Sequence, residues 1–281
     1  MTKNIFYISD FFAEEIVGGG ELNDQELINL LKNEFILDKY KSNIISEDVI
    51  KNNKEAIFII SNFINLSDRC KEYLQKNCKY IIYEHDHKYL KSRNPGLYPD
   101  FKAPQQEIIN EKFYLNAKKV ICQSKFHLDI IKKNLDINNL INISGNLWSV
   151  ESLELLRNIG KNKKKERCSI MNSSIKHKNT LGAIRYCKIK GREYKLIENS
   201  EHSSFIRNLG SSSTFVFFPE TPETLSRIVV EARMLGMKTI TSKNIGAIHE
   251  EWFSLKGEEL IEYMTEKRGE ILNKIIEVIN E

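Results

Sequence analysis

Short runs rich in Ile, Val, Phe and Tyr alternate along the chain with longer stretches whose apolar residues recur every three or four positions. This is the pattern of β-α-β units around a parallel sheet. It predicts strands near 4–8, 43–46, 56–60, 79–83, 119–122 and 140–143, with helices around 21–31, 67–75, 105–116 and 125–134. After Trp148 a helical stub runs into the polar, charge-rich segment KNKKKER at 161–167, the composition of a hand-over between domains. A second alternation follows, with strands near 168–171, 194–197, 214–218 and 238–241, and then a tail with Leu260, Ile261, Met264, Ile271, Leu272, Ile275 and Ile279 at helical spacing, which predicts one or two helices packed across the body. The expected architecture is α/β: two Rossmann-like domains, 1–150 and 151–281, facing across a cleft. Ligands in such sheets lie beyond the carboxyl ends of the strands.

Composition narrows the class. With 41% hydrophobic and 28% charged residues, the 281-residue chain reads as a folded protein rather than a disordered one. Its formal charge of +4 gives no general nucleic-acid footprint, so nucleic acid is not an expected partner. The basic run at 161–167 leaves open peripheral contact with an anionic membrane, against the plainer reading of a solvated linker. Cys70, Cys78, Cys122, Cys168 and Cys187 are scattered, odd in number and without a CxxC, which argues against a disulfide framework and a zinc site and fits a reducing cytoplasm. The start MTKNIFYISDFF has no basic-then-apolar signal pattern, and no apolar run is of membrane-spanning length.

The most informative segment is FVFFPETPETLSRIVVEARMLGMKTITSKNIGAIHEE, beginning at Phe215. An apolar strand ends at Phe218; Thr221 is placed to cap a helix, Pro222 suits its first turn, Leu225, Ile228, Val229, Ala232 and Leu235 form a buried stripe, and Gly236 ends it. A helix N-terminus at a strand's carboxyl end presents unpaired amides and partial positive charge, suited to a pyrophosphate, with Thr224 and Leu225 as the candidate amides. Glu223 and Glu231 would then stand at the head of the helix and about 12 Å further along its axis. The plainer alternative is that Glu223 complements the helix dipole and Glu231 is solvated.

Glu223, the seven residues TLSRIVV and Glu231-Ala232 resemble the Glu-x7-Glu motif of retaining GT-B glycosyltransferases, and the following strand, loop and Gly246 fit the same pattern. The resemblance implies that Glu231 binds the ribose hydroxyls, that Glu223 lies near the donor sugar, and that the amides of Thr224 and Leu225 touch phosphates and sugar. Members commonly carry glycines directly after the first Glu, where this chain has Thr224-Leu225-Ser226. The family's basic residue in the first strand-loop-helix unit of the second domain corresponds to Lys178, with Lys176 in reserve; its usual Arg has no counterpart, Asn172 and Ser173 standing there instead.

The first domain resembles the family as well. GGGE at 18–21 opens a helix after the first strand, and glycines such as Gly19 and Gly20 let a backbone approach phosphate or acceptor closely. The spacing is not GxGxxG, so NAD and FAD are not expected, and a flexible loop is the alternative. YEHDHKYL looks like the His-Asp pair placed beside the donor sugar, giving His85 and Asp86, with His87 competing for the role. These side chains could also ligate a metal, but neighbours on an extended strand point to opposite faces, so no metal is expected. KKVICQSKFHLDIIKK resembles a strand running into Ser124 and a helix.

The resemblance implies metal-independent, retaining transfer of a sugar from a nucleotide diphosphate to an acceptor hydroxyl, on a glycan, a lipid-linked molecule or another acceptor, with no cofactor beyond the nucleotide-sugar. The loop 198–203 is expected to shape the nucleotide site and the loop 88–104 the acceptor side, with a purely structural excursion as the equal alternative for 88–104. Rival readings are a nucleotide-sugar epimerase or phosphorylase, a glycosyltransferase directed to DNA, and a non-catalytic nucleotide-sugar or nucleic-acid binding protein.

Overall fold

The computed structural model describes residues 3–281 and divides into two compact units, Met1–Leu147 with Gly269–Glu281, and Trp148–Arg268. Unit 1 holds strands β1 (Asn4–Ser9), β2 (Ile36–Lys41), β3 (Ile57–Ile60), β4 (Lys79–Tyr83), β5 (Lys119–Cys122) and β6 (Leu140–Asn142), and helices α1 (Gly19–Leu31), α2 (Glu47–Asn52), α3 (Asp68–Asn77), α4 (Glu111–Leu115) and α5 (Lys125–Asn134). The strands form one parallel sheet in the order β2-β1-β3-β4-β5-β6. Strand side chains alternate between its faces. Phe6, Ile8, Phe58, Ile60, Tyr80 and Ile82 pack with Ile50, Cys70, Leu74 and Ile131. Ile5, Tyr7, Ile57, Ile59, Ile81 and Tyr83 pack on the other face with Leu27, Ile28 and Leu31. Helices thus cover both faces, which is why the central strands are apolar throughout rather than alternating with polar residues.

Unit 2 repeats the plan. Helix α6 (Val150–Gly160) leads to β7 (Lys165–Met171), α7 (Thr180–Ile189), β8 (Tyr194–Ile197), α8 (His202–Leu209), β9 (Ser212–Phe217), α9 (Arg227–Met234), β10 (Lys238–Thr241) and α10 (Glu258–Asn280). Its parallel sheet runs β10-β9-β7-β8. Phe215 and Phe217 pack against α6, α8, α9 and the start of α10 on one face, and Cys168, Ile170 and Val216 against Ala183 and Cys187 of α7 on the other. In both units the second strand lies outside the first and the third inside it. The chain therefore switches direction between β1 and β3, and between β7 and β9, and the crevices at those points are where such sheets take ligands.

Several expectations need correction. The second strand is Ile36–Lys41, not 43–46, and it pairs with β1 as an edge strand whose polar residues hide its period. The expected helix 105–116 is broken: a short turn at Gln105–Glu107 and α4 are separated by Asn110, whose φ is 55°, and the Asn110 amide donates to the Lys88 carbonyl at 2.8 Å. Residues 161–167 are largely exposed, as expected of a solvated segment, but they lie inside unit 2 and join α6 to β7 rather than linking two domains. Lys164 donates to the Gly160 carbonyl at 2.8 Å, capping α6, and β7 begins at Lys165. The tail is one helix, and the second compact unit stops at Arg268 rather than running to 281, because Ile271, Ile275, Val278 and Ile279 join the unit 1 core of Ile5, Tyr7 and Leu27.

The helix after β9 starts at Arg227, five residues later than the first-turn position assigned to Pro222. The preceding segment is extended instead: the Glu223 N–H donates to Asn244 O at 2.8 Å, Gly246 N–H to Glu223 O at 2.9 Å and Ala247 N–H to Leu225 O at 3.0 Å. Leu225 is fully buried in the core, which holds this strand-like stretch in place. Ser226, with φ 73°, turns the chain into α9. At the far end Gly236 (φ 74°) closes the helix as expected, its N–H meeting Arg233 O and that of Met237 meeting Ala232 O, the paired bonds of a Schellman cap.

Candidate active site

In unit 1 the carboxyl ends of β1, β3 and β4 open on a cavity of about 200 Å³ lined by Gly20, Glu21, Asp24, Asn62, His85, Asp86 and Lys88. Helix α1 begins at Gly19, so its first amides lie at this crevice; Gly20 passes beside the His85 ring, where an added Cβ would stand 3.6 Å from Cγ. Nε2–H of His85 donates to Asp24 Oδ1, which also accepts from the Tyr7 hydroxyl at 2.8 Å, and the Gln123 amide meets Nδ1. These contacts, with Tyr83 edge-on at 4.7 Å, fix the orientation of the ring. Burial, reinforced by the Asp24 charge, raises the Glu21 carboxyl above its usual range.

The segment after β4 turns rather than remaining extended, so His85 and Asp86 both line the cavity instead of pointing to opposite faces. A buried network holds the turn. The fully buried Glu84 carboxylate accepts from the Asp86 N–H at 2.8 Å, from Lys88 Nζ and from the Tyr114 hydroxyl. His127, whose pKa burial pushes well below the ordinary value, donates as a neutral ring from Nε2 to the Asp86 carbonyl at 3.2 Å. The Asp86 side chain meets Arg93 at 3.2 Å. His87 is buried, with Nδ1 3.1 Å from the Tyr89 hydroxyl. Ser124 caps α5 at the end of β5, accepting from His127 N–H at 3.1 Å.

In unit 2 the loops after β7 and β9 flank the switch point and are stitched together. Asn179 (φ 55°) caps α7 and donates to Phe218 O at 3.0 Å, and the Glu220 N–H donates to His177 O at 2.8 Å. This brings Lys178 Nζ to 2.7 Å from Glu223 Oε1. The pair keeps side-chain exposures of 25% and 16%, enough to meet a ligand without unfolding the loop. Lys176 lies on the same turn and is exposed. Thr224 and Leu225 follow Glu223 in the extended stretch rather than in the first turn of a helix, so the separation of 12 Å along one axis does not apply to Glu223 and Glu231.

Glu231 is buried rather than solvated. Its Oε1 accepts from Arg227 Nε at 2.9 Å, from Trp148 Nε1 at 3.0 Å and from His202 Nε2 at 3.3 Å, and the Arg227 guanidinium lies 4.6 Å from the centre of the Trp148 ring. Burial acts to raise its pKa, but the hydrogen bond from His202 and the Arg227 charge outweigh that and hold the carboxyl below the usual range.

Sequence reasoning missed Asp24, Gln123, Trp148 and Arg227, and it covered Glu21 and His202 only within the segments 18–21 and 198–203, without a role for either side chain. Among the missed residues only Arg227 had a local signal, the i,i+4 spacing of opposite charges with Glu231. Among the described residues no group of three His, Cys, Asp or Glu is arranged to hold a metal, and no helix is long and apolar enough to cross a membrane. All five cysteines are free.

The chain matches no known protein family and no curated protein by sequence. Solved structures do match. The catalytic domain of starch synthase IV from Arabidopsis thaliana, bound to ADP and acarbose, superposes with a TM-score of 0.57 at 8% identity, covering 99% of this chain and 94% of that one. The fold is GT-B. Sucrose-phosphate synthase from Thermosynechococcus elongatus gives a TM-score of 0.56 at 10% identity over 88% and 82% of the two chains. HepE from Anabaena, in complex with UDP and glucose, gives 0.55 at 13% identity over 98% and 90%. At these identities the likeness is one of GT-B architecture.

Proposed function

We propose that this GT-B protein is a retaining, metal-independent glycosyltransferase that moves a sugar from a nucleotide-diphosphate donor to an acceptor hydroxyl. The observation that carries the proposal is the Lys178–Glu223 pair at the switch point of the unit 2 sheet. An ammonium beside a carboxylate at a crevice of this kind suits a diphosphate joined to a sugar: Lys178, with Lys176 near it, neutralises the phosphates, and Glu223 accepts from a sugar hydroxyl. The amide of Thr224 contacts the sugar and phosphates, whereas Leu225 is fully buried and offers no amide to a ligand in this conformation, and Glu231 takes the ribose hydroxyls with its second carboxylate oxygen. In unit 1, Gly19 and Gly20 allow close backbone approach, and His85 and Asp86 contact the sugar.

In the proposed reaction the bond from the anomeric carbon to the diphosphate breaks as the acceptor oxygen bonds the same face. The acceptor proton passes to the departing phosphate oxygen. Stabilisation of the leaving charge by Lys178 supplies much of the rate. The test is product analysis with a panel of nucleotide sugars, with and without EDTA. Transfer or slow hydrolysis with the anomeric configuration kept, unaffected by EDTA, supports the reading. Interconversion of the sugar while still on its nucleotide would make the protein an epimerase, inversion would remove the retaining mechanism, and loss of turnover with EDTA would remove metal independence.

A further inference from the structure

Helix α7 buries Ala183 and Cys187 against the unit 2 sheet and turns a different kind of surface outward. Leu181 is 78% exposed and Ile189 74%, the two most exposed large hydrophobic side chains among the described residues. Arg185 and Lys188 are exposed between them. At 3.6 residues per turn these four side chains share an arc of about 100°. Ile175, half exposed, precedes the helix, and Lys190 and Arg192 follow it. From 172 to 192 the chain carries six Lys or Arg and no Asp or Glu. Of these cations only Lys178 is ion-paired, and Arg185, Lys188, Lys190 and Arg192 make no ion pair or side-chain hydrogen bond among the described residues.

Exposed aliphatic side chains set among unpaired cations form a poor surface for water alone and a good one for an anionic interface. Basic side chains meet lipid phosphates while neighbouring apolar side chains enter the boundary between headgroups and acyl chains. A nucleic-acid surface would use the cations but gives exposed Leu and Ile no role, since single-strand binders stack bases on aromatic rings. We propose that the outer face of α7 docks on an anionic lipid bilayer, with Arg185, Lys188, Lys190 and Arg192 at the headgroups and Leu181 and Ile189 inserted below them. This assignment stands independently of the transferase reading.

The test is co-sedimentation of the full chain with vesicles of mixed phosphatidylcholine and phosphatidylglycerol and with vesicles of phosphatidylcholine alone. Binding is expected only to the mixed vesicles and falls with added salt. Arg185→Gln with Lys188→Gln should weaken it about 25-fold, at about fivefold per basic residue. Leu181→Ser with Ile189→Ser, which keeps every charge, should weaken it by about tenfold or more, since each side chain loses several buried methylene groups. All four positions are exposed, and unchanged thermal unfolding confirms that the variants fold. Equal binding to both vesicle types, no binding to either, or an unchanged affinity of the Leu181→Ser, Ile189→Ser protein would overturn the proposal. So would binding to a DNA duplex that the Gln variants lose when no vesicle binding occurs.

Discussion

Removing the Glu231 carboxylate should destabilise unit 2 strongly. The side-chain exposures of Glu231 and Arg227 are 4% and 7%, so Glu231→Ala leaves a buried guanidinium without its anion and the Trp148 indole N–H without its acceptor. Loss of one partner of a buried pair costs about 3–5 kcal/mol. The orphaned indole N–H adds a penalty of about 1–3 kcal/mol where water cannot reach it. The space vacated by the side chain admits some water, so the expected total is about 3–5 kcal/mol rather than the sum. Glu231→Gln keeps volume and an acceptor oxygen and should cost about 1–2 kcal/mol. Urea unfolding followed by tryptophan fluorescence is the assay, because Trp148 and Trp252 both belong to unit 2. The pH dependence follows from the lowered pKa of Glu231. A carboxyl depressed in the folded state adds stability that is fully present above its unfolded value of about 4.3 and is lost as pH falls through the folded value. The gap between the wild type and Glu231→Gln should therefore narrow below about pH 4. A cost under about 1 kcal/mol for Glu231→Ala would refute the account of a buried, paired carboxylate.

Glu21 should show the opposite linkage: its raised pKa means that ionisation opposes folding, so Glu21→Gln stabilises near neutral pH and the gain vanishes below its unfolded value of about 4.3, as thermal unfolding across pH will show. Gly236→Ala forces a Cβ into a left-handed cap and should cost about 1 kcal/mol, whereas Ser226→Gly, at φ 73°, should stabilise by up to about 1 kcal/mol; the reverse order in urea unfolding would refute the backbone argument. Lys178→Met breaks a partly exposed pair and should change stability by less than about 1 kcal/mol, yet lower kcat by about a hundredfold or more in the transfer assay.

The alternation of apolar runs made the β-α-β architecture legible, and β4, β5, β8 and β10 have the expected bounds because each is a short run rich in apolar or β-branched residues that follows a helix and stops at a polar residue, Glu84, Gln123, Glu198 and Ser242 in turn. β2 was hidden because Asp38, Lys39 and Lys41 of this edge strand interrupt its apolar period. The start of α9 was misplaced because Thr221, Pro222 and Glu223 satisfy local helix-start rules, while the competing bonds from Asn244, Gly246 and Ala247 come from more than twenty residues away. The resemblance expects glycine after the first Glu, and Ser226 adopts the left-handed backbone that glycine favours. Glu223, Lys178, His85 and Asp86 could be named from motifs, but their partners could not: Asp24 lies 61 residues from His85, and Trp148 lies 83 from Glu231, separations at which only the folded sheet brings side chains together.

The most direct test of the donor site is isothermal titration of the protein with UDP, GDP, ADP, CDP and dTDP, repeated with Lys178→Met, a variant that breaks only a partly exposed pair. The account predicts that one nucleotide family binds the wild type and that the variant binds it about tenfold or more weakly, the loss expected for one charge-assisted contact to phosphate. Binding of none of the diphosphates, or equal binding by the wild type and Lys178→Met, would contradict a nucleotide-diphosphate site at the Lys178–Glu223 pair.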